Sequence, residues 1–268
     1  MKKLIAIDLD GTTLNVQSLI SEKTEKTLQK AIAQGHYVSI ATGRPYRLSH
    51  QFYRQLKLDT PMVNFNGGLV HIPEKTWENE RASSVDREIV FDIISQKKAL
   101  NLDFVAAENK ETFFIDTFDH FDEKFFAAEA TEKNLLNAQN LTTDPTSLML
   151  CAPRELVGGI SDTLMNQYGD HLDIRTWGGA MPILEVVSKG IQKAKGVAEV
   201  ADYLNIKQKD IIAFGDEHND EEMLEYAGWG VAMQNATDHI KSVANDITDQ
   251  TNDEDGLADY LANYLSLN

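Results

Sequence analysis

The apolar run Leu4-Ile5-Ala6-Ile7 ends in two carboxylates on alternate residues, Asp8 and Asp10, and then Gly11. A continuous apolar segment of this kind reads as a strand buried on both faces, the pattern of a parallel sheet covered by helices. Residues two apart on a strand point the same way, so the spacing predicts that both acids face one space. In an open parallel sheet ligands bind beyond the carboxyl ends of the strands, where this pair falls. Two acids held that close repel, and need a cation, a shared proton or separate jobs.

The rest of the chain supplies the sheet that this strand requires. Ser21 is placed to cap a helix carrying Leu28, Ala31 and Ile32 at helical spacing, and Gly35 ends it. A second strand, Tyr37–Ala41, stops at Thr42-Gly43-Arg44, and Pro45 suits the first turn of another helix. A third strand, Met62–Phe65, is closed by the turn signal Asn66-Gly67-Gly68. The same grammar returns at Asp210–Phe214, which runs into Gly215-Asp216-Glu217-His218-Asn219-Asp220 and a helix containing Met223 and Leu224. Strands alternating with helices over short connections predict an α/β fold with a Rossmann-like parallel sheet.

Residues 82–184 read differently. Val85–Leu100 has helical spacing, two short strands flank Asn109-Lys110, and a strand at Ser147–Cys151 precedes a helix over Arg154–Tyr168. Strands follow around Leu172–Trp177 and Ile183–Val187. The expected organisation is a core of residues 1–81 and 185–268 with an inserted α/β domain over 82–184. At 268 residues the chain has the length for two moderate domains or one large one.

Charge and cysteine use exclude several classes. A formal net charge of −17 supplies no basic footprint for nucleic acid or an anionic membrane. The lone Cys151, set in Leu148-Met149-Leu150-Cys151, cannot form an internal disulfide and predicts a buried thiol in a reducing compartment, the cytoplasm being the simplest. Lys2-Lys3 before an apolar stretch faintly imitates a signal peptide, but Asp8 and Asp10 interrupt it, and no segment has the length to span a bilayer.

Four groups at strand ends suit one chemical task. A carboxylate can attack the phosphorus of an ester and hold the phosphoryl group as an aspartyl phosphate, and Asp8 is the candidate nucleophile. The leaving alkoxide needs a proton and the later attacking water must lose one, so a single acid that alternates roles serves both steps; Asp10 is the candidate. Charge on the transferring group calls for a cationic side chain, hydroxyl and amide donors, and a hard cation held by carboxylates. Lys193, Thr42 with Gly43, and Asp216 are the candidates in that order, with Asp216 and Asp8 as a magnesium pair and Asn219 and Asp220 placed to orient its waters or Lys193. Zinc is not expected, since the seven histidines are scattered and no cysteine set accompanies them. His218 reads as a solvent-facing loop residue. Taken singly, Asp-x-Asp-Gly is often a polar turn, Thr42-Gly43 a helix cap, and a lysine a surface charge. Their occurrence together in one chain order carries the argument.

These segments resemble the haloacid dehalogenase superfamily of phosphatases, and within it the Cof-type hydrolases with a cap inserted between the second and third motifs. Asp8-Leu9-Asp10-Gly11-Thr12-Thr13-Leu14 is similar to the first motif, Ala41-Thr42-Gly43-Arg44 to the second, Lys193 to the third, and Gly215–Asp220 to the fourth. Asn66-Gly67-Gly68 and Gly230–Ala236 also resemble Cof-type segments. The resemblance implies a magnesium-dependent phosphomonoesterase. The metal would be met by the Asp8 side chain, the Asp10 main-chain carbonyl and Asp216. Phosphate would be bound by Leu9, Thr42, Gly43, Lys193 and Asn219, with Asp220 behind them. The family often has Lys-Gly at the third motif, whereas Lys193 precedes Ala194 and Lys195-Gly196 follows; register counted from Glu185 and from the helix ending near Ile206 favours Lys193 and leaves Lys195 as the alternative. Gln234 stands where a glycine is common.

The expected function is hydrolysis of a small phosphorylated metabolite, sugar phosphates being the expected class, with the inserted domain closing over the phosphate pocket to exclude water. Arg175, Trp177, Phe113 and Phe114 are conceivable substrate contacts there, although aromatic residues in short strands are more often core. The alternatives are a phosphotransferase or sugar phosphomutase on the same core, and a phosphometabolite-binding protein without turnover. Asp8, Asp10, Lys193 and Asp216 together count against the last.

Overall fold

Leu4–Ile7 is wholly buried and lies within a five-stranded sheet of order Asp246–Ile247, Trp229–Ala232, Ile211–Gly215, Leu4–Ile7, Tyr37–Ile40, with every neighbouring pair parallel. The computed structural model describes residues 2–119, 121–176 and 182–267. The chain forms two compact units, one of Met1–Arg44, Ser49–Arg81 and Gln192–Asn268, the other of Pro45–Leu48 and Ala82–Ile191.

In the first unit, winding proceeds from Leu4–Ile7 to Tyr37–Ile40 on one side and resumes at Ile211–Gly215 on the other. The direction therefore reverses between Leu4–Ile7 and Ile211–Gly215. A crevice opens at such a switch point, and Asp8 and Asp216 are the residues that follow these two strands. The helix Glu22–Ala33 is capped by Ser21, whose Oγ accepts the Thr24 N–H at 3.0 Å. It ends before Gly35, which at φ +89° adopts the left-handed backbone that a side chain disfavours. The helix Lys193–Tyr203 contributes Val197, Val200 and Ala201 to a core shared with Leu4, Ala6, Ile211 and Ala213.

The third strand differs from the sequence expectation. Met62–Asn64 meets the parallel sheet only through the bridge of Val63 to Ala41 and otherwise pairs antiparallel with Leu69–His71, in a small sheet that ends with Arg81–Ala82. The strand stops at Asn64 because Phe65 and Asn66 both take positive φ and form a tight turn.

The second unit is built on a five-stranded antiparallel sheet of order Phe113–Ile115, Phe104–Glu108, Ser147–Cys151, Ile183–Ser188, Leu172–Thr176. Alternation sorts its residues. Val105, Ala107, Leu148, Leu150, Leu184 and Val186 form one core with the helices Arg87–Gln96 and Val157–Tyr168. Phe104, Ala106, Phe113, Met149, Cys151 and Ile183 form another with Phe126. The boundary expected after residue 184 falls inside the strand Ile183–Ser188, which pairs on both edges within this unit and carries it to Ile191. The helix expected over Val85–Leu100 is confined to Arg87–Gln96, with Asp86 accepting the Glu88 N–H at 2.8 Å as its cap. Phe113 and Phe114 are buried, and the Arg175 guanidinium donates to the Ile191 carbonyl at 2.6 Å. Trp177 lies outside the described residues. Among the described residues no helix is long and apolar enough to cross a membrane.

Candidate active site

The first strand delivers Asp8 into a buried ionic cluster. Its main-chain N–H donates to the Phe214 carbonyl at 3.2 Å, which fixes it beside the strand that leads to Asp216. Lys193 Nζ donates to Asp8 Oδ1 and to Asp220 Oδ1, both at 2.7 Å, and all three side chains are almost completely buried. Asp220 uses its other oxygen to accept the N–H groups of Asp216 and Glu217, at 3.0 and 3.2 Å, so it holds the lysine and the fourth-motif loop together. Lys195 is exposed, because the first turn of the helix turns residue 193 inward and residue 195 outward.

Oxygens of Asp8, Asp216 and Asp220 lie within 4.8 Å of one another. Burial pushes the Asp8 carboxyl well above its ordinary range, with Lys193 opposing and Asp220 and Asp216 adding to the rise. Burial and then Asp220 push Asp216 up to about 7, against Thr12 Oγ1, which donates to Asp216 Oδ1 at 2.7 Å. For Lys193, burial disfavours the ammonium but the two carboxylates more than offset it, so the group is held charged. Three carboxyl groups thus gather around a single ammonium.

Asp10 is not brought into that cluster. The strand ends at Ile7, and Leu9–Thr13 forms a wide turn in which the Leu14 N–H reaches back to the Leu9 carbonyl at 2.8 Å. Strand alternation therefore stops applying before Asp10. Its side chain is 58% exposed, and both oxygens accept from Arg44, from Nε at 2.7 Å and from a terminal nitrogen at 2.5 Å. Gly11 makes the turn possible: its φ is +70°, and a Cβ there would lie 2.1 Å from an Asp216 oxygen.

Thr42 is buried at the end of the second strand, where its N–H donates to the Val63 carbonyl at 2.9 Å and its Oγ1 accepts the Arg44 N–H at 3.1 Å. Asn219 donates from Nδ2 to Asn66 Oδ1 at 3.0 Å. His218 is exposed, as expected, beside Glu217. Five contacts at the site had no assigned role from the sequence. Arg44 holds Asp10, Asn66 holds Asn219, and Asn235 donates to the Gly11 carbonyl at 2.7 Å, while Asn252 donates to the Leu14 carbonyl at 2.7 Å and bonds Asn235 through its N–H. Asn66 and Asn235 sit in segments with recognisable resemblance, which was the available signal.

Comparison with known proteins bears on this arrangement. The family model for haloacid dehalogenase-like hydrolases matches residues 5–261. A Bacillus subtilis (strain 168) protein named 5-amino-6-(5-phospho-D-ribitylamino)uracil phosphatase YitU is 39% identical over 270 residues, covering 98% of each chain. A haloacid dehalogenase-like hydrolase from Bacteroides thetaiotaomicron shares the fold with a TM-score of 0.85 at 24% identity, over 98% of this chain and all of its own. A Thermotoga maritima crystal structure gives a TM-score of 0.83 at 27% identity, over 98% of this chain and 97% of its own. The chain therefore belongs to the haloacid dehalogenase-like hydrolases, among which it is a phosphatase, a hydrolase of phosphoric monoesters.

Proposed function

We propose that the chain is a magnesium-dependent phosphatase of small phosphorylated metabolites that works through an aspartyl phosphate on Asp8. The single observation that carries this is the buried Lys193 bridging Asp8 and Asp220 at 2.7 Å each, beside Asp216. An ammonium on one oxygen of Asp8 fixes the carboxylate and leaves its other oxygen to attack phosphorus. The same cation offsets charge on the transferring group.

The residues present fit magnesium: the donors are oxygens only, with carboxylate oxygens of three residues gathered within 4.8 Å of one another. Asp8, Asp216 and the Asp10 carbonyl would hold the ion, which when bound neutralises phosphoryl oxygens and lowers the repulsion facing an anionic ester. In the first step an Asp8 oxygen bonds to phosphorus as the bond from phosphorus to the ester oxygen breaks, and Asp10 gives its proton to the departing alkoxide. In the second step water attacks the aspartyl phosphate and Asp10 takes the proton, returning Asp8 as a carboxylate and releasing phosphate. Thr42 and Gly43, the Leu9 amide and Asn219 are assigned to the phosphoryl oxygens. Both oxygens of Asp10 are occupied by Arg44 here, so proton transfer requires that at least one of those bonds loosen.

We assign substrate choice to the inserted unit and the reaction to a reducing, cytoplasmic compartment, with the lone Cys151 supporting the latter. Sugar and polyol phosphates are the proposed class. The relative named for a phosphoribitylaminouracil, 39% identical along nearly the whole chain, makes a ribityl phosphate bearing a pyrimidine the first member to try. The test is phosphate release from sugar phosphates, that ribityl phosphate, nucleotides and cofactor phosphates, with magnesium or EDTA, for the wild type and Asp8→Asn. Release that needs both magnesium and Asp8 is expected. Wild-type activity in a folded Asp8→Asn protein removes the nucleophile assignment, and transfer of phosphate to an added sugar in place of water favours the phosphotransferase.

A further inference from the structure

Phe65, Asn66 and Gly67 occupy the left-handed region in succession, at φ +50°, +54° and +101°, and two of the three carry side chains. A backbone of this kind is unfavourable for residues with a Cβ and persists only where surrounding bonds hold it, most often at functional sites. The bonds are here. The Asn66 N–H donates to the Thr42 carbonyl at 3.1 Å, Asn64 Nδ2 donates to the Arg44 carbonyl at 2.8 Å, and an Arg81 terminal nitrogen donates to the Gly67 carbonyl at 3.0 Å. A Cβ on Gly67 would lie 2.3 Å from the Gln192 carbonyl, so the turn is packed against the residue that precedes Lys193. A Cβ on Gly43 would lie 3.1 Å from Asn66 Oδ1, so the Asn66 amide also lies over the second-motif backbone.

One turn outside the four motifs therefore meets three of them. Its buried asparagine accepts a hydrogen bond from Asn219 Nδ2 at 3.0 Å. An amide nitrogen has two hydrogens; with one directed to Asn66, the direction of the other is fixed. We propose that Asn66 is a positioning residue for phosphoryl transfer, orienting the second N–H of Asn219 toward a phosphoryl oxygen while its own peptide N–H holds the Thr42-Gly43 loop. The neutral amide suits this role, since it adds no charge beside an anionic group. The left-handed backbone points its side chain at Asn219, and asparagine is among the few side-chain residues that tolerate it.

This inference rests on the phosphatase reading, and its test separates the two. Asn66→Gly keeps the left-handed backbone without strain and removes the amide; it is combined with Asn219→Ala in a double-mutant cycle, with kcat, KM and Tm measured on a sugar phosphate in magnesium. Each single variant is expected to lose about ten-fold in kcat, as for a modest misplacement of a reacting group. The double variant is expected to be no worse than either, because both remove one interaction. Tm of Asn66→Gly is expected to stay near the wild type. Losses that multiply in the double variant, or wild-type kcat in Asn66→Gly, overturn the inference. If Asn66→Gly does not fold, Asn66→Asp preserves the shape and the acceptor to Asn219 but adds a charge; a raised KM for the anionic ester with Tm retained supports the positioning role, and unchanged kinetics overturn it. No turnover by the wild type overturns the phosphatase reading itself and this inference with it.

Discussion

Arg44 grips both oxygens of Asp10 through two parallel N–H bonds, at 2.7 and 2.5 Å, while its guanidinium lies 5.6 Å from the centre of the Phe52 ring. A planar cation stacked on an aromatic face presents its donors in a fixed direction. Asp10 is thereby aimed by the Arg44 guanidinium.

If Asp10 protonates the leaving oxygen, removing its guide matters most where that proton matters most. Arg44→Ala is expected to slow an alkyl phosphate by about ten-fold or more, and p-nitrophenyl phosphate, whose leaving group needs no proton, much less. The ratio of kcat for the two esters is the measurement; an unchanged ratio separates Arg44 from proton transfer.

Lys193 lies between two buried carboxylates, so its removal takes from both the ammonium they share. Lys193→Met is expected to cost about 3–5 kcal/mol of stability, the usual penalty for breaking a buried pair from one side, and to abolish turnover. The exposed Lys195, changed to Ala, is expected to leave both nearly unchanged. Denaturant melts and phosphate release on the two variants check this.

At Gly11 any side chain meets Asp216 and sits in a left-handed backbone. Gly11→Ala is expected to lower stability by about 1–2 kcal/mol through the backbone alone, and to displace Asp216 so that magnesium no longer raises Tm. Calorimetry with and without magnesium measures both.

The raised carboxyls set a pH dependence for the metal-free chain. Asp216 titrates near 7 when folded and near 3.8 as an ordinary aspartate. Between these values the folded chain keeps a proton that the unfolded chain has lost, so stability is greatest below about 4 from this group and falls as pH rises through 7. Magnesium competes with that proton. Its stabilising effect is expected to be larger at pH 8 than at pH 5.5, with proton release on binding at the lower pH, measured by thermal melts and by titration calorimetry in buffers of different ionisation enthalpy.

Much of the core was legible because its signals are local. Leu4–Ile7, Tyr37–Ile40 and Ile211–Gly215 are apolar runs closed by turn residues. What was not legible is carried by pairs far apart in the chain. Arg44 and Asp10, Asn66 and Asn219, and Asn235 and Gly11 leave no periodicity, because one hydrogen bond between distant segments does not alter the pattern of either. Asp10 does not follow strand alternation for a local reason, since the strand ends three residues before it and the turn Leu9–Thr13 leaves its side chain on Arg44. The second unit runs past residue 184 to Ile191 because Ile183–Ser188, apolar enough to suit either unit, pairs antiparallel on both edges there.

Asp8 and Asp216 end neighbouring strands although some two hundred positions of chain separate them. Bringing such distant strands together requires closure of a very long loop, which is slow compared with local contacts. During synthesis the ribosome must release the strand Ile211–Gly215 and the loop after it before the nucleophile acquires its neighbours. Until then Asp8 is an ordinary acid at the end of an unpartnered strand edge. Reactivity is thus withheld from the nascent chain until Asp216 and the loop after it have been made.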